Sequence, residues 1–237
     1  LQINLSQIDV NDFGGIPLIS AKDAGPSTWQ LLVKRAFDIV VASAALLLSA
    51  PIVLLFMLLI RLESPGSPVY SHVRVGKNGR PFRLYKLRSM RMGADEEKDK
   101  LLKTNEVDGP LFKMKADPRR TRVGTFIRRY SIDESLQFWN VLKGDMSLVG
   151  PRPEVLEYTA MYTDKEKIIL STRPGITDYA SIEFANLDDL VGNLDPDKYF
   201  REHIMPRKTE LRIKYVKEWS LITDFKILKA TFCRVVK

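Results

Sequence analysis

Residues Ile39 to Ile60, IVVASAALLLSAPIVLLFMLLI, form 22 consecutive positions without a charged side chain. As an α-helix rising about 1.5 Å per residue, the run measures roughly 33 Å, enough to cross a bilayer core. A helix of this length in a soluble core normally keeps a polar face, which this one lacks. A cleavable signal peptide is excluded, because the run lies far into the chain and a large charged region follows. Pro51 sits just past its middle. The missing amide and the ring's clash with the preceding turn predict a kink or break there, with Ser49 placed to hydrogen-bond a freed carbonyl. Both flanks are basic, Lys34 and Arg35 before and Arg61 after, and positive charge favours the cytoplasmic side. A re-entrant helix that bends at Pro51 and returns to the same face satisfies both observations. A single kinked span is the competing topology.

The charge is as localised as the apolar run. The chain of 237 residues carries a net +8, yet residues 61–130 hold eighteen basic and eight acidic side chains while the stretches on either side are each at −1. Such a patch attracts polyanions: nucleic acid, anionic lipid or a phosphorylated small molecule. The 45% hydrophobic content excludes a disordered chain, and the single cysteine excludes an internal disulfide.

Local patterns place the elements. GGIPLIS, 14–20, reads as a short strand, and the polar stretch after it as a linker. Val73–Val75 and Phe82–Met90 read as the arms of a hairpin around the Asn78-Gly79 turn. Residues 93–106 read as a solvated charged helix, and 117–130 as a basic loop and short helix. At 131–142, Ser131 and Glu134 have capping-box spacing, and Ile132, Leu136 and Trp139 share a face, predicting a helix start. Residues 155–170 are helical in pattern. Residues 198–218 read as an amphipathic basic helix interrupted at Pro206, and 220–237 as a second amphipathic segment.

Four groups of residues have chemical potential. Asp133 and Glu134 are adjacent carboxylates; they complement a helix dipole, and they could also divide the roles of nucleophile at phosphorus and ligand of a divalent cation. Lys86 and Arg88 share one face of the second hairpin arm, either as a solvated basic face or as cations aimed at a diphosphate. Arg152 is held between Pro151 and Pro153, and Arg173-Pro174-Gly175 repeats the theme more weakly. The chain has no P-loop and no G-x-G-x-x-G fingerprint, and two histidines with one cysteine make a zinc site a poor fit. A hard cation on carboxylate and phosphate oxygens, such as Mg²⁺, is the natural metal.

Taken together, KRAFDIVVASAALLLSAP (34–51), SPGSPVYSHVRVGKNGRPFRLYKLRSM (64–90), SIDESLQFWNVLKGDMSLVGPRPE (131–154) and RPGITDYA (173–180) resemble the bacterial sugar transferases called monotopic phosphoglycosyl transferases. The resemblance runs from about Lys34 to the end of the chain. It implies transfer of a sugar-1-phosphate from a UDP-sugar to undecaprenyl phosphate, giving UMP and an undecaprenyl-diphosphate sugar, the first membrane step of a polysaccharide or glycoconjugate. Asp133 matches the family nucleophile, which forms a covalent phospho-sugar intermediate, and Glu134 its Mg²⁺-binding partner. Lys86, Arg88 and Arg152 match basic residues near the diphosphate, and Arg173 joins them as a weaker candidate. Two departures stand out: Ala50 separates Ser49 from the helix-breaking Pro51, and Asp178-Tyr179-Ala180-Ser181 stands where the family often has a small residue and then Ala-Gln.

The resulting expectation is an α+β, mostly helical protein. Residues 1–33 form a linker, the tail of an upstream region, since the sequence opens on Leu1 and GGIPLIS resembles the connector of larger members. Residues 34–62 form a re-entrant membrane helix, and residues 63–237 a cytoplasmic catalytic domain with amphipathic helices on the bacterial inner membrane. The partners are a UDP-sugar, undecaprenyl phosphate and membrane lipid, with no nucleic acid; a homodimer is left open. The rival is a membrane-anchored basic module that binds nucleic acid or anionic lipid, for which Asp133 and Glu134 would be irrelevant.

Overall fold

The computed structural model describes residues 8–13, 16–21, 26–94, 117–184 and 203–235, the first two segments as backbone alone. Helices predominate over short strands. Strand β1 (Ile8–Phe13), which the sequence pattern did not reveal, pairs antiparallel with β2 (Ile16–Ala21). The expected helix over 93–106 lies almost wholly outside the described residues.

Helix α1 (Thr28–Glu63) starts earlier than the apolar run, because Ser27 and Gln30 form a capping box: the Ser27 Oγ accepts from the Gln30 amide at 3.3 Å and the Gln30 Oε1 accepts from the Ser27 amide at 2.9 Å. It is one continuous helix with Pro51 inside it, so the expected break is not an interruption of the helix. The proline forfeits one ladder bond at a cost of about 3 kcal/mol. Ala42 before it and Val53 after it are both buried in the domain's packing, which holds the helical backbone on either side. The Ser49 Oγ reaches the Leu46 carbonyl at 3.4 Å, not the carbonyl of Leu47 that Pro51 leaves without its ladder partner. Asp38, Ala42, Val53 and Ile60 form the buried stripe; their spacings of four, eleven and seven return to one helical face. Leu47, Leu48, Leu54, Leu55 and Leu58 stay exposed elsewhere on the helix.

Both ends of α1 are fastened to the same domain. Arg35 donates to the carbonyls of Val141 and Leu142 at 2.6 and 2.8 Å, and the Asp38 Oδ1 accepts from the Leu148 amide at 3.2 Å. At the other end, Glu63 accepts from the amides of Arg122 and Val123 at 2.7 and 3.1 Å. It therefore caps α2 (Arg122–Arg129), whose free amides favour a carboxylate.

After α1 the chain forms the expected hairpin, β3 (Val69–Val75) with β4 (Pro81–Leu87). Asn78 and Gly79 turn it with φ of 57° and 75°, a conformation these two residue types adopt at low cost. A five-residue 3₁₀ turn, Ile132–Leu136, leads into α3 (Gln137–Lys143). The expected capping box is absent: Ser131 is left-handed at φ 54° and its side chain makes no cap hydrogen bond, because Glu134 is turned toward cations instead. Strands β5 (Ser147–Val149) and β6 (Gly175–Thr177) pair in parallel. A Cβ on Gly175 would lie 2.1 Å from the Gly150 nitrogen, which is why that position is glycine. The helical pattern over 155–170 resolves into α4 (Leu156–Ala160) and a 3₁₀ turn, Glu166–Ser171. Helix α5 (Tyr179–Glu183) is capped by Asp178. Pro206 does not interrupt a helix; it stands in the first turn of α6 (Met205–Lys217), where a missing amide costs nothing. Helix α7 (Leu221–Val235) closes the fold.

Two apolar clusters support these elements. Ala42, Leu84, Val141, Met146, Leu148, Val149, Tyr215 and Ile227 form one, and Val53, Ile60, Leu87 and Ile127 the other. Helix α1 and strand β4 contribute to both, so the membrane-type helix and the hairpin carrying Lys86 are parts of one packed body.

Candidate active site

The 3₁₀ turn packs on β4 and α2 and brings Asp133 and Glu134 together with residues from three other segments. Along β4, Phe82, Leu84 and Lys86 point to one face. Phe82 and Leu84 join the core, and Lys86 emerges at its margin, where its Nζ donates to the Glu134 Oε1 at 2.9 Å. Arg152, from the Pro-Arg-Pro turn after β5, reaches Glu134 from another side, with Nη1 3.4 Å from Oε2 and Nη2 on Oε1. Burial by itself would raise the Glu134 pKa, but Arg152 and then Lys86 outweigh it and hold the carboxyl down at about 2. Glu134 in turn raises the Arg152 guanidinium further.

Asp133 behaves in the opposite way. Its residue is 7% exposed, and burial pushes its carboxyl above the ordinary range, against the attraction of Lys86 and with the added repulsion of Glu134. Arg128 on α2 also acts on it, while the Arg128 Nε donates to the Ser89 Oγ at 2.7 Å. Among the described residues no side chain hydrogen-bonds the Asp133 carboxylate. The two adjacent carboxylates thus divide in character: Glu134 is neutralised by cations, and Asp133 is held by a backbone hydrogen bond with no side-chain donor on it. A desolvated carboxylate of that kind is a stronger nucleophile than a paired one.

Sequence reading missed four members of this neighbourhood, Tyr70, His72, Arg74 and Arg128. In the register of the hairpin, Tyr70 faces Lys86, His72 faces Leu84 and Arg74 faces Phe82. His72 accepts from the Arg74 Nε at 2.5 Å, and burial together with Arg74, Lys86 and Arg152 lowers its pKa to about 4, so it is neutral at pH 7. The signal was available as the period-two pattern Tyr70-x-His72-x-Arg74 on the strand opposite Lys86. Arg128 had no such signal, because its approach to Asp133 depends on how α2 docks.

Arg88 and Arg173 are placed elsewhere. Strand β4 ends at Leu87, so the alternation that pairs Lys86 with Arg88 does not extend that far. The Arg88 guanidinium is buried and donates to the carbonyls of Ser64, Pro65 and Ile60 at 2.6, 2.7 and 3.4 Å; it closes the C-terminus of α1. The Arg173 Nε donates to the Gly144 carbonyl at 2.9 Å and faces Arg35.

A third carboxylate supports the site from behind. Asp178 is buried; its Oδ2 accepts from the Arg152 backbone amide at 3.1 Å and its Oδ1 from the Ser181 amide at 2.7 Å. Arg212, from α6, lies 2.7 Å from Glu154 and 3.8 Å from Asp178.

The described residues contain no group of three His, Cys, Asp or Glu side chains fit to hold a metal by themselves. The donor set of Asp133 and Glu134 instead suits a hard cation that completes its shell with phosphate oxygens of a substrate.

Residues 29–237 match the family model described as bacterial sugar transferase. The chain is 37% identical over 232 residues to a galactosyl transferase, CpsE, of Streptococcus agalactiae, covering 96% of this chain and 47% of that protein. It is 35% identical over 231 residues to the UDP-glucose:undecaprenyl-phosphate glucose-1-phosphate transferase of Escherichia coli, covering 96% and 45%. Against an uncharacterized sugar transferase, EpsL, of Bacillus subtilis, 36% identity extends over 87% of this chain and 88% of the relative. The chain therefore spans about half the length of the first two proteins and nearly all of the third.

Proposed function

The chain belongs to the bacterial sugar transferase family, and from that premise we propose that it transfers a sugar-1-phosphate from a UDP-sugar to undecaprenyl phosphate. The observation that carries this reading is the division between the two carboxylates: Asp133 is desolvated and without a side-chain hydrogen bond among the described residues, while its neighbour Glu134 is fixed by Lys86 and Arg152. The names of the relatives support the substrate class.

In the first half-reaction an Asp133 carboxylate oxygen attacks the phosphorus bonded to the sugar. The bond from that phosphorus to the bridging oxygen breaks, and UMP leaves with the electron pair. In the second, a phosphate oxygen of undecaprenyl phosphate attacks the phosphorus of the aspartyl phospho-sugar, and the Asp133 carboxylate departs. No net proton transfer is needed at the nucleophile, since both attacking groups are anions. Lys86, Arg152 and Arg74 surround the place where charge on the diphosphate grows, and fixed cations there stabilise the transition state. Glu134, whose Oε2 has only a 3.4 Å contact from Arg152, would hold Mg²⁺. When bound, the ion offsets charge on the transferring phosphoryl group.

The chain acts at the inner membrane with its catalytic domain in the cytoplasm. Support comes from α1, whose two ends are fastened to one charged domain while its exposed leucines require an apolar solvent. A re-entrant helix places both ends on the side where UDP-sugars are made.

UMP release from a panel of UDP-sugars, with undecaprenyl phosphate and Mg²⁺, tests the reading and identifies the sugar. Asp133→Asn should lose transfer by several orders of magnitude while keeping the fold, and wild-type chain mixed with donor alone should carry the mass of one phospho-sugar on the peptide containing Asp133. Full activity in Asp133→Asn would refute the mechanism.

A further inference from the structure

A cavity of about 330 Å³ lies apart from the two carboxylates, between the N-terminal part of α1, the end of α6 and the turn that carries Arg173. Four cations line it: Lys34, Arg35, Lys77 and Arg173. Among the described residues, two carboxylates offset them. Asp38 lines the wall and is engaged with the Leu148 amide, and Asp224 pairs with Lys34 at 2.5 Å behind it. Arg35 and Arg173 face each other across the C-terminal carbonyls of α3, and neither makes an ion pair with a carboxylate among the described residues, although Asp38 acts on Arg35 through space. Lys77 is exposed and its amine has no ion-pair partner among the described residues. Two like-charged guanidiniums and an ammonium without an ion pair in the lining of one cavity leave a net positive field, the arrangement that accepts a phosphate.

The walls also say where that phosphate comes from. Leu31 and Trp219 line the same cavity. Next to Leu31 on α1, Trp29 and Leu32 are 72% and 60% exposed, and on α7 Ile222 and Phe225 are 68% and 56% exposed, with Phe225 against Phe37 of α1 at 5.0 Å. An apolar face that wide on two adjacent helices belongs at a membrane surface. The cationic cavity opens among the elements that build it.

We propose that this cavity is a second phosphate site, separate from the Asp133–Glu134 site, that holds the headgroup phosphate of an anionic glycerophospholipid. Lys77 and the outer nitrogens of Arg173 grip the phosphate oxygens, and the lipid tails run along the Trp29–Leu32 face of α1. The bound lipid fixes the entry of α1 relative to the membrane plane. The assignment rests on the reading of α1 as a membrane helix, but not on the chemistry of Asp133.

The test is native mass spectrometry of the full chain in detergent, titrated with phosphatidylglycerol and, separately, with phosphatidylcholine. One phosphatidylglycerol per chain should be retained in preference to phosphatidylcholine. Lys77→Glu, an exposed change on a short turn, should weaken that retention about tenfold, the scale of one charge-assisted contact, and Glu134→Gln should leave it unchanged. Equal retention of phosphatidylcholine would overturn the proposal. Weakening by Glu134→Gln as great as by Lys77→Glu would assign the lipid to the carboxylate site instead. Displacement of the lipid by millimolar UMP or inorganic phosphate would make the cavity a site for soluble phosphates. The wild-type titration requires no catalysis, so an inactive preparation that still retains the lipid separates a failure of the proposed reaction from a failure of this site.

Discussion

Lys86 and Arg152 converge on one oxygen of Glu134, Lys86 from a strand at 2.9 Å and Arg152 from the Pro-Arg-Pro turn. The pairing joins segments that are far apart in sequence, and it has a consequence for stability. The Glu134 carboxyl titrates at about 2 in the folded chain against an ordinary 4.5, so the folded state binds its proton less tightly than the unfolded state. The resulting stability is present above about 4.5 and is lost as pH falls through about 2.

Glu134→Gln should therefore lower stability at pH 7 and by about half as much at pH 3. The side chains of Lys86, Glu134 and Arg152 are 21%, 22% and 41% exposed, so solvent screening reduces the effect to about 1–2 kcal/mol, below that of breaking a fully buried pair. Urea unfolding midpoints of the two proteins at both pH values check this. A difference that does not shrink at pH 3 would show that the charge pairing contributes nothing.

Arg88 and Lys86 should separate cleanly. Arg88 closes three carbonyls at the end of α1, so Arg88→Ala should cost about 2–3 kcal/mol as buried acceptors lose a charged donor. Lys86→Ala should cost less, at most about 1 kcal/mol because Arg152 still pairs with Glu134, and should reduce UMP release by at least about tenfold through loss of a phosphate-facing cation. Thermal unfolding and turnover measured on the same preparations decide. An Arg88→Ala chain of wild-type stability and strongly reduced turnover would return Arg88 to the substrate.

The sequence shows some of this and hides the rest for physical reasons. The hairpin is legible because Asn78-Gly79 fits only a narrow set of turns and the flanking residues alternate. The adjacency of the two carboxylates and the Pro-Arg-Pro turn are legible because those patterns are local. The contacts of Arg88 are not, since they depend on where β4 stops: the arm expected to reach Met90 ends three residues earlier at Leu87, and the Arg88 guanidinium turns to the carbonyls at the end of α1. Ser131 misleads in the same way: its spacing to Glu134 fits a capping box, but two cations compete for that carboxylate more strongly than one backbone amide does. The cavity beside Arg35 and Arg173 is invisible along the chain, because its four cations come from three distant segments.

Asp178 is a positioning residue, and its effect should appear in catalysis before stability. It accepts the Arg152 amide and caps α5 with its other oxygen. Asp178→Asn keeps one carbonyl acceptor and Asp178→Ala keeps none. We expect Asp178→Ala to reduce kcat about tenfold or more with a smaller change in KM, as a displaced Arg152 loses its transition-state contact, and Asp178→Asn to recover part of that loss. Steady-state UMP release at varied donor concentration gives the split. Equal loss in both variants, tracking a loss of folded protein, would make the role structural only.

The attachment of both ends of α1 to one domain predicts its topology. Arg35 and Asp38 hold α3 and β5, while Glu63 caps α2. A straight span would put those two attachments on opposite sides of a hydrocarbon layer about 30 Å thick and would require half of a charged domain to follow. With the exposed Cys233 replaced by serine, single cysteines at Thr28 and Arg61, both exposed, should react with a membrane-impermeant maleimide from the same side of sealed vesicles. In inverted vesicles, whose cytoplasmic face is outward, both should label; in right-side-out vesicles both should be protected. Labelling of Thr28→Cys and Arg61→Cys from opposite faces would establish a spanning helix. In that case the contacts at one end of α1 could not form in the membrane, and either the Asp38–Leu148 bond or the Glu63 cap on α2 would have to be absent from the active protein.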